Sequence, residues 1–455
     1  MARQTPNSRL RVLIAEARWT GHALAEAVNV VGGEAGVPLR YDRSSVAHWL
    51  TGTRPPAHVR AFVAEALSRR LDRSVSVPDT GLDETAMASA AKPHALPNPP
   101  PDPAARLIAL ADAGRIRRPS LRGLAYDLAA NRMPSFAALA AEPAARSGGS
   151  EAVSVGPDQV EEAQLMLSVF CDADTAFGGG GARRAVCAYL AHNVTPWLRA
   201  RARPRVRRQV LSVASKLSYL AGYMCFDGQM GGAAQSYYRI AAELSAEAAE
   251  PSGYATALRG MSLQAHVLGH HAEALQLAET AATAGRSVPA AHAAFLAGQV
   301  AMAAAATGGR QTALTHLDAA ERFLCRADGP DEQIGSYHES ALAYQRAEVL
   351  VSLGDLEGAV RALAAALRLR PAGERRARAL IEARLAELHL RLGRLDQACA
   401  VWGRFCDDYP HLNSARADSA LRLLRAQLRP YARNGAAHVL LDRAAELAPP
   451  GRTHR

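Results

Sequence analysis

Apolar residues recur at helical spacing along almost the whole chain, and no convincing strand-like alternation appears, so the pattern predicts a nearly all-α protein. Leu10, Leu13, Ile14 and Ala17 mark one short helix; Leu24, Ala27 and Val28 mark a second, opened by Thr20, whose hydroxyl suits an N-cap. The stretch Gly32-Gly33-Glu34-Ala35-Gly36 reads as the connection that follows. It leads through Val37-Pro38-Leu39-Arg40-Tyr41 to Asp42, which can cap a third helix over Arg43 to Leu50. Gly52 and Pro55-Pro56 stop that helix, and Val59, Phe62, Val63, Ala66 and Leu67 give a fourth amphipathic one. Four compact helices therefore fill a first domain over residues 1–74.

From Ser74 to Asp158 the texture changes. Pro93, Pro97, Pro99, Pro100, Pro101 and Pro103 predict an extended linker, with a small helical insert from Ala104 to Ala145 closed by Gly148-Gly149-Ser150. Long helical patterns then run from Gln159 almost to the C-terminus, giving a linker over 75–158 and a repeat domain over 159–455.

That last domain is internally self-similar. A Gly followed five residues later by an Ala recurs at Gly228/Ala233, Gly269/Ala274, Gly308/Ala313, Gly354/Ala359 and Gly393/Ala398, at intervals of 41, 39, 46 and 39 residues. The Gly permits a tight turn after one helix, and the small Ala lets the next helix approach its partner closely. Seven residues beyond each Ala stands another packing position: Ile240, Ala281, Ala320, Ala366 and Phe405. The two clearest copies, around Gly354 and Gly393, also carry a proline twelve residues after the Ala, at Pro371 and Pro410. These positions resemble tetratricopeptide repeats, which implies a superhelix of helical hairpins with a concave groove. Tyr219, Tyr223, Tyr237 and Tyr238 are candidates to line the first groove, but aromatic residues at such spacing are more often core.

The segment Arg43-Ser44-Ser45-Val46-Ala47-His48-Trp49-Leu50-Thr51-Gly52 resembles the recognition helix of phage-repressor-type helix-turn-helix proteins. The resemblance implies that Val46, Trp49 and Leu50 lock the helix to its core while Arg43, Ser44, Ser45 and His48 face double-stranded DNA. Arg40, Arg54 and Arg60 would then contact phosphates, which position a protein without reading sequence. This chain departs from the family in spacing: Leu24 and Val46 lie 22 residues apart, so Val31 to Tyr41 forms a longer turn. Altered docking, or a partner other than DNA, stays open on that account. The whole architecture is similar to large actinobacterial regulators, among them negative regulators of Streptomyces differentiation and antibiotic production. The supporting stretches are Ala25-Glu26-Ala27-Val28-Asn29, Leu39-Arg40-Tyr41-Asp42-Arg43-Ser44 and Ala221-Gly222-Tyr223-Met224-Cys225-Phe226-Asp227. At fold level it also resembles the peptide-responsive quorum-sensing regulators of Gram-positive bacteria.

Charge sharpens the picture once it is located. The 455 residues carry 53 Lys+Arg against 43 Asp+Glu, a formal net charge of +10, and only Lys92 and Lys216 are lysines. Residues 1–82 hold a surplus of four, and the run Arg199, Arg201, Arg203, Arg205, Arg207 and Arg208 holds six with no acid, while residues 209–455 are nearly neutral. That run reads as a solvated stretch, a second DNA-backbone contact or a cradle for an acidic partner, and Pro196 and Pro204 keep it from forming one continuous helix. No apolar run is long enough for a membrane span and no secretory signal opens the chain, so the expected location is cytoplasmic.

Sites for chemistry are few. Gly178-Gly179-Gly180-Gly181 lacks the Gly-Lys-Ser/Thr of a phosphate loop and fits an interhelical turn. His270-His271 sits in a repeat turn and is expected to be solvated, His338-Glu339 lacks a second His, and Asp172 and Asp174 suit a polar turn. Six dispersed cysteines form no metal or disulfide pattern. The chain is therefore expected to be a non-enzymatic regulator without metal or cofactor, acting as a homodimer on duplex DNA, whose repeats sense a peptide, small molecule or protein. The alternative is an interaction scaffold that binds no DNA.

Overall fold

The computed structural model describes residues 6–35, 37–83, 102–115, 121, 124–141, 154–327 and 337–448. Gly36, the prolines from Pro93 to Pro101, and Gly148-Gly149-Ser150 lie outside the described residues. Among those described, the fold is all-α, with one isolated bridge between Ser154 and Arg201 and no strand. No described helix is long and apolar enough to cross a membrane.

The helices in chain order are α1 (Ser8–Glu16), α2 (Gly21–Glu34), α3 (Arg43–Leu50), α4 (Ala57–Leu71), α5 (Pro103–Arg115), α6 (Phe136–Ala141) and α7 (Pro157–Phe177). There follow α8 (Gly179–Tyr189), α9 (Thr195–Arg199), α10 (Pro204–Asp227), α11 (Gly231–Glu247), α12 (Pro251–Val267), α13 (His271–Ala284) and α14 (Ala290–Ala306). The chain ends with α15 (Arg310–Leu324), α16 (Glu339–Ser352), α17 (Leu356–Leu369), α18 (Arg375–Arg391), α19 (Leu395–Asp408), α20 (Ala415–Leu428) and α21 (Gly435–Glu446). They divide between two compact units, one made of residues 1–157 with 187–274 and the other of 158–186 with 275–455.

The tetratricopeptide-like pattern is realised almost position by position. Gly269, Gly308, Gly354 and Gly393 adopt φ of 89, 83, 86 and 73°, the left-handed conformation that ends a helix without the Cβ clash other residues suffer. The first hairpin differs: Gly228 stays at φ −77°, and Gln229 takes the left-handed position at φ 54°. Ala233, Ala274, Ala313, Ala359 and Ala398 are all buried, as are the five packing positions seven residues further on. Serine hydroxyls add a second tie within hairpins, from Ser215 to the Ala241 carbonyl, Ser262 to Ala274 and Ser340 to Ala366, at 2.7–2.8 Å.

In the first unit Tyr238 is the central wedge. A Cβ on Gly222 of α10 would stand 2.9 Å from its ring, and one on Gly260 of α12 would stand 3.0 Å away, so both neighbours must be glycine for the tyrosine to fit. Tyr237 and Tyr238 are fully buried and Tyr219 nearly so, which places them in the interhelical core instead of on a groove; Tyr223 alone of the four is partly exposed. In the second unit Trp402 and Phe405 meet edge to face at 5.3 Å inside a core drawn from α16 to α21. There the tetraglycine stretch is an interhelical contact: Gly178 breaks the chain between α7 and α8 at φ 87°, and Gly180 donates to the Asn413 carbonyl at 2.9 Å. A Cβ on Gly180 would fall 2.2 Å from the Asn413 side chain, so the glycine makes room for the protein's own chain. Asp174, read from sequence as part of a polar turn, is buried in α7 and pairs with Arg376 at 2.9 Å.

Candidate nucleic-acid interface and its attachment

Side-chain caps hold the first three helices of the N-terminal unit, whereas α4 follows Pro56 with no such cap. The Asn7 side chain accepts from Leu10, Thr20 from Ala23 and Asp42 from Ser45, closing a capping box at α3. Leu10, Leu24, Val28, Val46, Val59, Phe62 and Leu67 are fully buried, and Trp49 crosses Tyr41 edge to face at 5.1 Å. The unit continues to Leu82, because Asn7 donates to the Thr80 carbonyl at 2.9 Å and Leu82 joins the same core.

The unusual connection between α2 and α3 is ordered by two devices. Gly32 and Gly33 belong to α2 and not to the connection, and the chain folds back over Gly32, where a Cβ would lie 2.4 Å from Leu39. The Asn29 amide then clamps the end of the loop, donating to the Tyr41 carbonyl and accepting from the Tyr41 N–H, both at 2.8 Å.

Arg43, Ser44 and His48 project from the exposed face of α3, and Arg40 and Arg54 are exposed on either side. Arg40, Arg43 and Arg54 make no ion pair among the described residues, so their charge is available to an anion. Arg60 is half-buried and donates to the Pro55 carbonyl at 2.8 Å, which orients it toward its own loop. Ser45 is committed to Asp42, bonding it through both its N–H and its hydroxyl. These bonds hold the Asp42 carboxyl below its ordinary pKa, so the N-terminus of α3 is already occupied by a carboxylate. An anion approaching this face would meet the arginine side chains instead of free helix N–H groups.

Sequence reasoning missed the far side of this unit. Glu65 of α4 is buried, and one carboxylate oxygen accepts from Arg69 at 2.8 Å and pairs with the His270 Nε2 at 2.9 Å. His270 is therefore not solvated: it is 1% exposed, at the turn before α13, and the Tyr126 ring stacks on it at 5.4 Å with an interplanar angle of 16°. Tyr126 is itself clamped. Its hydroxyl accepts from Asn131, whose side chain accepts from Gln235 of α11, and Gln235 also exchanges two hydrogen bonds with the Asp127 backbone. The chain at Leu124 and Ala125 crosses α11 at Gly232, where a Cβ would sit 2.4 Å from their carbonyl oxygens. The only sequence signals were a His in a turn and an isolated Glu on an apolar helix, and neither reveals a partner some 200 residues away.

The basic run is split as the prolines require, with α9 ending at Arg199 and α10 starting at Pro204. Arg207 pairs with Glu247 at 2.9 Å, while Arg199, Arg203, Arg205 and Arg208 are exposed.

The SP15 N-terminal domain family matches residues 10–83. No curated protein matches the chain. Among solved structures, a Rap protein complexed with Competence and Sporulation Factor is 14% identical over 63% of this chain and 96% of its own, with a TM-score of 0.39. A Podospora anserina kinesin light chain with nearly identical TPR-like repeats is 15% identical over 45% of this chain and 99% of its own, at 0.32. The human IFIT1 dimer with PPP-AAAA is 14% identical over 64% and 65%, at 0.38.

Proposed function

We propose that this chain is a DNA-binding transcriptional regulator without catalytic activity, whose N-terminal unit reads duplex DNA with α3 and whose helical hairpins receive a peptide, small-molecule or protein signal. The observation that carries the reading is the exposed face of α3. There Arg43, Ser44 and His48 are held rigidly by the buried Val46 and Trp49 behind them and flanked by the unpaired Arg40 and Arg54. Action as a homodimer follows from the same reading, since one eight-residue helix contacts few bases and two half-sites multiply the affinity. Repression of differentiation or secondary metabolism is the role implied by the resemblance to actinobacterial regulators.

Selection of the purified protein against random duplex DNA tests the reading. An enriched motif is expected, with binding weakened about tenfold or more by Arg43→Ala combined with His48→Ala. A lack of enrichment, or binding indifferent to both substitutions, overturns it. The second reading, a scaffold that binds no DNA, draws on the Asp42 carboxylate at the α3 N-terminus, which disfavours phosphate at that point.

A further inference from the structure

The Glu65–His270 pair has three properties that an ordinary packing contact does not combine. It joins the outer side of α4 to the turn between α12 and α13, it is sealed from water on both sides, and it is capped by an aromatic ring delivered from the linker. Arg69, bonded to the same carboxylate oxygen, also pairs with Glu34 at 2.7 Å, so the network runs from the repeat turn through α4 to the C-terminal end of α2. The last residues of α2 lead directly into the Asn29-clamped loop that presents α3. A buried polar network of this kind has few alternative geometries, because each member loses its partner if another moves.

We infer that Glu65, His270 and Tyr126 are positioning residues. They form a latch by which the α12–α13 turn fixes the orientation of the N-terminal unit, and with it the direction in which α3 faces. The latch rests on the DNA-binding reading for its purpose but not for its detection. His270 Nε2 donates to Glu65, so the latch is closed whenever that side chain stays at the turn. A molecule bound on this hairpin that displaces the turn opens it. An open latch leaves α1–α4 folded around their own core but free to reorient. In a dimer this keeps recognition of a single half-site and abolishes preference for one spacing between half-sites.

Amide hydrogen exchange on the full chain reads the latch without DNA. His270→Ala is expected to raise exchange at least tenfold over residues 124–131 and the outer face of α4, while α1 to α3 keep their protection. Glu65→Gln, which retains an oxygen acceptor, is expected to restore most of the protection that Glu65→Ala loses. Unchanged exchange at 124–131 in His270→Ala overturns the latch, and so does equal loss of protection throughout α1 to α4, which would make the pair part of that unit's folding. In the DNA arm, wild-type protein is expected to select paired half-sites at one spacing and His270→Ala the same half-site at many spacings. If His270→Ala retains the wild-type spacing, the positioning role falls. If wild-type protein enriches no DNA while the exchange pattern holds, the latch stands and the DNA-binding reading fails.

Discussion

Glu382 offers a sharp quantitative test of the electrostatics. Its side chain on α18 is buried with one carboxylate oxygen unpartnered, and its nearest cation is Arg404 at 3.4 Å, itself half exposed. Burial, and then the neighbouring Asp408 carboxylate, push its pKa from 4.5 up to about 7; Arg404 and Arg378 oppose this only in part, and Arg378 is already bonded to Asp408 at 2.8 Å. The native state therefore holds a proton that the unfolded chain has released between about pH 4.5 and 7. Native protein binds more protons in that window, so stability falls as pH rises through it and stays low above it. At 1.36 kcal/mol per unit, the loss amounts to about 3 kcal/mol. Glu382→Gln removes the titration. Its amide leaves one donor unpartnered at a cost of about 1 kcal/mol, so the variant should exceed wild type by about 2 kcal/mol at pH 8 and show no advantage at pH 4. For a unit of this size that is roughly 4–8 °C in melting temperature, read by calorimetry across pH 4–8.5. Other titrations cancel in the difference between the two proteins. Parallel pH profiles would refute the assignment of a desolvated, protonated Glu382.

Two further substitutions probe the hairpins. Gln229→Gly should raise the melting temperature, by about 0.5–1 kcal/mol of relieved left-handed strain, whereas Gly354→Ala, with open space around it but φ of 86°, should lower it by at least a comparable amount. A thermal shift of the same sign for both would be inconsistent with turn conformation as the cause. Gly260→Ala should destabilise by about 1–3 kcal/mol, because its new methyl would meet the Tyr219 and Tyr238 rings at 2.9 and 3.0 Å. Combining it with Tyr238→Phe, which leaves the ring in place, should rescue little, and full rescue by that variant would implicate the hydroxyl instead of the ring.

What the sequence made legible follows from the range of the interactions involved. The cap of α3, its limits, the left-handed glycines at four turns and the buried alanine after each are set by contacts within a few residues or between adjacent helices, and such contacts leave periodic traces. Gly228 was read correctly as a turn but wrongly placed within it, because a Gly-Gln pair allows either residue to take the left-handed conformation. Gly32 and Gly33 looked like a loop because glycine is a poor helix former, yet they are helical, since the folded-back Leu39 requires the absence of a side chain at Gly32. The sequence misplaces His270 and Asp174, and gives no sign of Glu65, for one common reason. Their environments are created by segments distant in sequence, and no local spacing distinguishes a buried histidine from a solvated one.

The energetics of the latch limit how a signal can act on it. The His270 ring has no room to swing away alone, being 1% exposed, bonded to Glu65 and stacked under Tyr126. Its backbone is tied in as well, its main-chain N–H donating to the Ala265 carbonyl and its carbonyl accepting from Ala274 in the first turn of α13. Opening the latch therefore means moving the turn itself, with the left-handed Gly269 as its pivot. A two-state element passes from 1:99 to 99:1 only if a ligand favours one state by about 5.5 kcal/mol. A micromolar ligand has about 8 kcal/mol in all, so roughly two-thirds of its binding free energy must discriminate between the two arrangements. Contacts spread along the outer faces of the hairpins cannot do that, since those faces are the same in both arrangements. The discriminating contacts must fall on the α12–α13 turn or on the linker segment at Tyr126, which are the elements that change. On the proposed DNA-binding reading, a mobile N-terminal unit requires an effector that binds beside His270, and saturation mutagenesis of residues 266–271 should alter the signal response more than substitutions anywhere else in the repeats.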